Sequence, residues 1–345
     1  MKAILLDAFG DASHFKEKEI PTPKPARNEV RVKLKATGFN PVDYKIRKGM
    51  FGGVLPQTLG ADFSGIIDAV GDLVRDYSVG DEVFGLAFGP SSNGSYAEYL
   101  CTPSQFIAKK PENLSYEEAA GIAVTYLTAF QSLITSNALQ KGRPLFLTGG
   151  SGGVGSAAIA LAKVYEAGPI YTLAGSEESA SYLMDRFSIP SDHILRYSGL
   201  SLEARAKKLI EMNEGQRFYF ALDFVGGEAK DLCFELLDFF GHLATPISEE
   251  AGYPVPFWGK ETPIWTKSLS VHMVFIVSAA LFGDENSWSV YRAQLQHLAQ
   301  LFEKENLMPP QVENLGDLSV KTVQTAHEKL ETGHTKGKLI MSHSS

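Results

Sequence analysis

Cysteine is nearly missing from this sequence. Cys101 and Cys233 are the only two in 345 residues. That is too few for a disulfide framework or a four-thiolate zinc site. Each reads as a small buried apolar residue rather than a nucleophile. The eight histidines form no metal-spaced cluster. No apolar run reaches the roughly 18 residues that a spanning helix needs. Positive charge is also short: 32 Lys and Arg stand against 40 Asp and Glu, for a net charge of −8. Without a basic stripe, nucleic acid is not an expected partner. Met1-Lys2-Ala3-Ile4-Leu5-Leu6 meets Asp7 at once, so it reads as a first strand and not as a signal peptide. A cytoplasmic location with no membrane partner is the expectation.

What is present is ample apolar material, 44% of residues, in a length that suggests about two domains. Residues 1–110 look β-rich. Short apolar runs at Ala3–Leu6, Val30–Ala36, Ser64–Val70, Glu82–Ala87 and Tyr96–Cys101 are parted by Gly and Pro clusters. Many short strands at close spacing predict a small barrel. From about residue 113 the period changes. Ser115 and Glu118 make a capping box, and residues 119–136 have helical character. Strands then alternate with helices: 144–147, 170–174, 193–197, 218–225 and 241–245 against 156–165, 177–187, 202–213 and 229–239. That alternation implies βαβ units and a doubly wound parallel sheet. Residues 246–266 form a long loop rich in proline and aromatics. Residues 269–277 return as a strand, 288–305 and 320–332 as amphipathic helices, and 338–341 as a closing strand.

The run Leu145-Phe146-Leu147 enters a turn with five glycines in seven residues, Gly149 to Gly155. Gly150, Gly152 and Gly155 satisfy GxGxxG, the spacing that lets backbone amides approach a dinucleotide pyrophosphate at a helix start. The same residues read as GxSxG around Ser151, a nucleophile elbow. A glycine-rich turn without a ligand is the third reading. The turn follows the first strand of the βαβ array, which favours the dinucleotide. Three later segments supply the carboxyl ends of strands where such ligands lie: Ala174-Gly175-Ser176, Asp223-Phe224-Val225-Gly226-Gly227 and Thr245-Pro246.

Several ordered motifs extend through the chain: Gly38-Phe39-Asn40-Pro41-Val42-Asp43, Leu59-Gly60-Ala61-Asp62-Phe63-Ser64-Gly65, Val79-Gly80-Asp81-Glu82-Val83, Leu127-Thr128-Ala129, the glycine turn, Leu222 to Gly227, and Gly333-His334-Thr335-Lys336-Gly337-Lys338. With these the chain resembles the zinc-independent quinone oxidoreductase group of the medium-chain dehydrogenase/reductase superfamily. The resemblance implies an α/β fold: a Rossmann doubly wound parallel sheet plus a GroES-like β-barrel catalytic domain split in sequence. The expected bounds are 1–124 and 278–345 for the catalytic domain and 125–277 for the NADP-binding domain, with the active site in the cleft between. Zinc-containing members place Cys where Asn40 stands, His where Ala61 stands and a third thiolate near Val124. Those three replacements leave no set of three strong ligands, and catalytic zinc needs three. No zinc is therefore expected. The implied activity is transfer of a hydride from NADPH to a quinone or α,β-unsaturated carbonyl. A non-catalytic NADP(H)-binding sensor or structural protein of the same fold is the alternative.

The resemblance also assigns residues. Gly150, Ser151, Gly152, Gly153, Val154 and Gly155 would hold the cofactor, with Thr128, Val225 and Lys338. Gly175 and Ser176 resemble the pattern that admits a 2′-phosphate, Tyr197 matches a tyrosine that contacts it, and Arg196 would add charge. These favour NADPH over NADH, although a lysine expected near Ser179 is absent. Asn40 would face the nicotinamide ribose or the substrate. Phe51 falls where several quinone reductases carry a tyrosine, so proton donation would pass to solvent or to Lys45. Phe51, Phe257, Trp258 and Phe275 are candidate walls for a flat acceptor. The apolar strand at 269–277 would pair with a second copy as a homodimer, since an exposed edge of that kind is a liability unless covered.

Overall fold

The computed structural model describes residues 1–88, 93–249, 260–304 and 307–343. The chain divides into two compact units, Met1–Leu127 with Ile276–Ser345, and Thr128–Phe275.

The first unit is built on strands. β1 (Lys2–Leu6), β2 (Phe15–Glu19), β3 (Glu29–Gly38), β4 (Gln57–Thr58), β5 (Asp62–Val70), β6 (Glu82–Leu86), β7 (Tyr99–Pro103) and β8 (Ile107–Lys109) form its first part. β3 shows why. Val30, Val32, Leu34 and Ala36 alternate with polar residues and are buried, as a period of two demands. β3 pairs antiparallel with both β5 and β7. Ile4, Leu6, Phe15, Phe39 and Tyr96 make one core cluster, closed by Leu318, Val323 and Leu330 from late in the chain. That late segment is the reason for the split in sequence.

The second unit carries β9 (Leu145–Leu147), β10 (Ile170–Ala174), β11 (Ile194–Arg196), β12 (Phe218–Leu222), β13 (Leu237–Thr245) and β14 (Ser270–Met273). They lie in the order β11-β10-β9-β12-β13-β14, and every pair is parallel. This is the doubly wound dinucleotide order. Phe146, Tyr171, Phe218, Ala221 and Leu243 pack its core with Leu209, Leu232 and Leu236. The first unit is completed by β15 (Val312–Asp317) and β16 (Lys338–Ser342), which run parallel to each other while β16 joins β3 antiparallel.

Several boundaries differ from those expected. The helix after the glycine turn begins at Gly153, three residues before Ser156, because the turn itself winds into the first helical residues. The helix expected over 229–239 ends at Leu236, and β13 starts at Leu237 so that Phe239 is strand. The strand expected over 269–277 spans only Ser270–Met273, and a short helix, Ser278–Phe282, follows. The helical stretch at 119–136 is broken: Ala123–Phe130 is α-helical and Gln131–Thr135 is a π turn. A helix at Pro41–Arg47 and the strand β15 were not expected at all. Of the 246–266 loop, residues 250–259, with Phe257 and Trp258, lie outside the described residues.

Candidate functional site

Each unit contains one constellation worth building up. In the second unit, β9 delivers Thr148 to the start of the glycine turn. Its hydroxyl donates to Asp223 Oδ1 at 3.0 Å and accepts from the Phe224 N–H at 3.0 Å. Asp223 Oδ1 also accepts from the Val225 and Gly226 amides at 3.1 and 2.9 Å, and Oδ2 from the Thr245 hydroxyl at 3.0 Å. One buried carboxylate thus ties the carboxyl ends of β9, β12 and β13. Sequence reasoning quoted Asp223 in a motif but gave it no role. The signal available was an acid at the end of an apolar strand, facing threonines at the ends of two others.

The glycines of the turn differ in what they must avoid. A Cβ on Gly155 would fall 2.1 Å from the Gly149 carbonyl oxygen, so helix and turn touch there. A Cβ on Gly152 would meet nothing closer than 3.4 Å, and its φ of −77° suits any residue. The fold itself places no demand for glycine at 152. Gly152 is also the N-cap of helix Gly153–Val164, and no side chain caps that end. The amides of the first turn, those of Gly153, Val154 and Gly155, lack intrahelical acceptors by construction and form a positive helix end. Ser151 lies in the turn without a base beside it among the described residues, and Thr128 is buried in helix Ala123–Phe130.

Beside this, β10 ends at Ala174 and Ser176 caps helix Glu177–Phe187, its hydroxyl accepting the Ser179 N–H at 3.1 Å. No acid stands at the strand end. Tyr197 follows β11, and a Cβ on Gly175 would fall 2.9 Å from its phenol oxygen. Arg196 is ion-paired with Glu177 at the surface. Val225 is exposed in the turn after β12.

In the first unit, Asn40, Asp62 and Lys338 meet in the interior. The Lys338 ammonium donates to Asp62 Oδ2 at 2.7 Å and to Asn40 Oδ1. Asn40 Nδ2 donates to Asp62 Oδ2 at 3.0 Å, and the Val124 N–H to Asp62 Oδ1 at 2.7 Å. All three side chains are nearly inaccessible. Asn40 is not a simple turn residue: it stands before the helix Pro41–Arg47, and its N–H donates to Asp43 Oδ2 at 2.7 Å. Asp43 therefore orders this loop. In the same interior the Tyr96 oxygen is 3.0 Å from His327 Nε2. Lys45 is half-buried on the same short helix and Phe51 is exposed beyond it. Among the described residues neither bonds to Asn40, Asp62 or Lys338.

Burial shapes the titration of this interior. Desolvation pushes Asp43 up to about 7 and holds His327 and His343 down to about 3 each. The signs oppose. Between about pH 4 and 6.5 the unfolded chain binds one more proton at each histidine, while the native chain binds one more at Asp43. The net is one proton in favour of the unfolded chain. These three groups should therefore lower unfolding free energy by about 1.4 kcal/mol for each pH unit from 6.5 down to 4. Urea titrations at several pH values should show that slope. His327→Phe should flatten it, and an unchanged slope in that variant would refute the assignment.

Comparisons with known proteins agree with this architecture. Residues 26–112 match the family model of the alcohol dehydrogenase GroES-like domain, and residues 191–341 that of zinc-binding dehydrogenases. A GroES-like unit joined to a unit with a dinucleotide-type parallel sheet is the class so defined. The chain belongs to the medium-chain dehydrogenase/reductase superfamily. Human quinone oxidoreductase is 35% identical over 187 residues, 53% of this chain and 56% of that protein. The match thus spans little more than half the length of that relative. A zinc-type alcohol dehydrogenase-like protein of Staphylococcus epidermidis is 28% identical over 335 residues, 95% of this chain and 94% of its own. Among solved structures, the Coxiella burnetii quinone oxidoreductase superposes with a TM-score of 0.81 at 28% identity, covering 100% of this chain and 99% of that one. A mycobacterial protein solved in complex with NADPH gives 0.82 at 25% identity, covering 99% of each. Among the described residues no helix is long and apolar enough to cross a membrane, and no group of three or more His, Cys, Asp or Glu could hold a metal ion.

Proposed function

We propose that this protein is an NADPH-dependent reductase of quinones or α,β-unsaturated carbonyls, working without a metal, in the zinc-independent quinone oxidoreductase group. The observation that carries the reading is the glycine turn. It offers a helix end with no side-chain cap and a glycine, Gly152, that neither φ nor any steric contact among the described residues requires. Backbone approach by a pyrophosphate explains both. The mycobacterial neighbour bound to NADPH and the two quinone oxidoreductases support the same choice.

The bound nucleotide supplies a hydride; the protein supplies position and exclusion of water. Gly150 to Gly155 would receive the diphosphate, and Thr128 and Val225 would flank it. The absence of an acid at the end of β10, with Ser176 and the Tyr197 hydroxyl there instead, favours a 2′-phosphate over a free ribose hydroxyl. By the resemblance Asn40 and Lys338 would lie on the nicotinamide side, acting through the network they form with Asp62, since their own polar atoms are taken up there. Phe51 would be an apolar wall, and since Phe cannot give a proton, Lys45 or solvent would.

The donors at Asn40 and Asp62 do not fit a zinc ion. They provide one amide oxygen and one carboxylate, and the Lys338 ammonium already bonds both. A divalent cation would have to displace a buried positive charge and would still lack the three strong ligands of a catalytic site. Reduction of an already electrophilic acceptor does not need one.

The place of β14 at the end of the sheet, with no strand beyond it among the described residues, supports a twofold homodimer with one continuous sheet. Light scattering at micromolar protein should give twice the chain mass. For the activity, NADPH oxidation should be measured with 1,2- and 1,4-quinones and with 2-alkenals, with and without a chelator. Turnover unaffected by the chelator is expected. Tight NADPH binding with no turnover on any acceptor would favour the non-catalytic alternative.

A further inference from the structure

Arg205 stands outside every motif so far used. It lies on helix Leu202–Met212, and its guanidinium carbon sits 5.1 Å from the centroid of the Tyr197 ring. Nη1 donates to Glu228 Oε2 at 2.6 Å. Nε is buried without an acceptor among the described residues, so it cannot reach a ligand directly. The side chain is thus clamped between an aromatic face and a carboxylate at the start of helix Glu228–Leu236. Arg196, the cation suggested by sequence, is turned to Glu177 instead.

The clamp has a consequence for Tyr197. A phenol on a loop is free to swing about χ1 and χ2. Here a cation that also bonds Glu228 lies over the ring, an arrangement that is attractive in itself. The hydroxyl is thereby kept against Gly175, where no side chain can intrude. The neighbouring Ser176 hydroxyl accepts the Ser179 N–H and donates to Ser179 Oγ. The Tyr197 O–H is left at that loop as a donor with a fixed address.

We infer that Arg205, held by Glu228, is a positioning residue that sets preference for a 2′-phosphorylated nicotinamide nucleotide by fixing the Tyr197 hydroxyl. This rests on the NADPH reading above. It assigns Arg205 no contact with the cofactor and no part in hydride transfer.

The test is a double-mutant cycle read as selectivity, the ratio of kcat/KM for NADPH to that for NADH. Arg205→Met should lower the ratio about tenfold, through KM for NADPH, with kcat and the NADH parameters within twofold. Tyr197→Phe should do the same. The double variant should be no worse than the poorer single one, because Arg205 acts through Tyr197. Glu228→Gln, which leaves Arg205 in place but slack, should lower the ratio by less. Thermal unfolding of each apo variant checks that it folds. If Arg205→Met and Glu228→Gln leave selectivity unchanged, or if the two main effects multiply, the inference is wrong while the NADPH reading stands. Wild-type protein that prefers NADH would overturn the NADPH reading, and this inference with it.

Discussion

Replacing Lys338 with Met should destabilise the first unit by about 3–5 kcal/mol, the range found when one partner of a buried ion pair is removed. The reason lies in what would remain. Asp62 is fully buried, and its charge is met by the ammonium, the Asn40 amide and the Val124 N–H. Without the ammonium, two neutral donors face a full negative charge in an interior of low dielectric. Asn40 would also lose the donor to its Oδ1. The substitution itself is gentle in shape, since Met is about as long and as flexible as Lys. Urea unfolding near neutral pH measures the loss. The companion variant Asp62→Asn in the Lys338→Met background should recover much of it, because an amide at 62 keeps the Val124 bond and carries no charge. If the double variant were as unstable as Lys338→Met alone, the ion pair would not be the source of the effect.

Much of the architecture could be read without coordinates. The change from period-two runs to alternating strands and helices marks where one kind of unit gives way to another. Ile170–Ala174 and Glu177–Phe187 have the bounds expected, because Ser176 caps the helix and the strand is a plain apolar run. Ser115 and Glu118 form the expected box. β15 was missed for a physical reason. Val312–Asp317 has exposed and half-buried residues in no clear alternation, and only its parallel register with β16 makes it a strand. The helix Pro41–Arg47 was missed because Asn-Pro reads as a turn, while Pro at the first helical position reads as a start.

Sites were legible where they rest on backbone and hidden where they rest on contacts far apart in sequence. The glycine turn announces itself in seven residues. The bond from Lys338 to Asp62 spans 276 positions, and no spacing rule could have joined them. The Tyr96–His327 contact likewise joins residues 231 positions apart. Arg196 sits beside Tyr197 in sequence and is ion-paired with Glu177, while Arg205, eight residues beyond Tyr197, covers the ring, which no sequence spacing announced.

The glycine turn yields the other large prediction, because two of its glycines should fail in different ways. Gly155→Ala puts a methyl 2.1 Å from the Gly149 carbonyl oxygen. The helix must withdraw from the turn, and a lower melting temperature of the apo protein is expected. Gly152→Ala meets only ordinary contact distance and an unstrained φ. Its apo melting temperature should stay within about a degree of wild type, or rise slightly as unfolded-chain entropy falls. Yet the same methyl stands on the face left open at the helix start. If a diphosphate lies there, overpacking of about 1–3 kcal/mol weakens NADPH binding roughly five- to 150-fold. Calorimetric titration with NADPH, set against melting of the apo protein, separates the two glycines. A Gly152→Ala protein that folds normally and binds NADPH as wild type does would remove the turn from the cofactor site. Loss of affinity with stability intact is the result that a merely structural turn cannot produce.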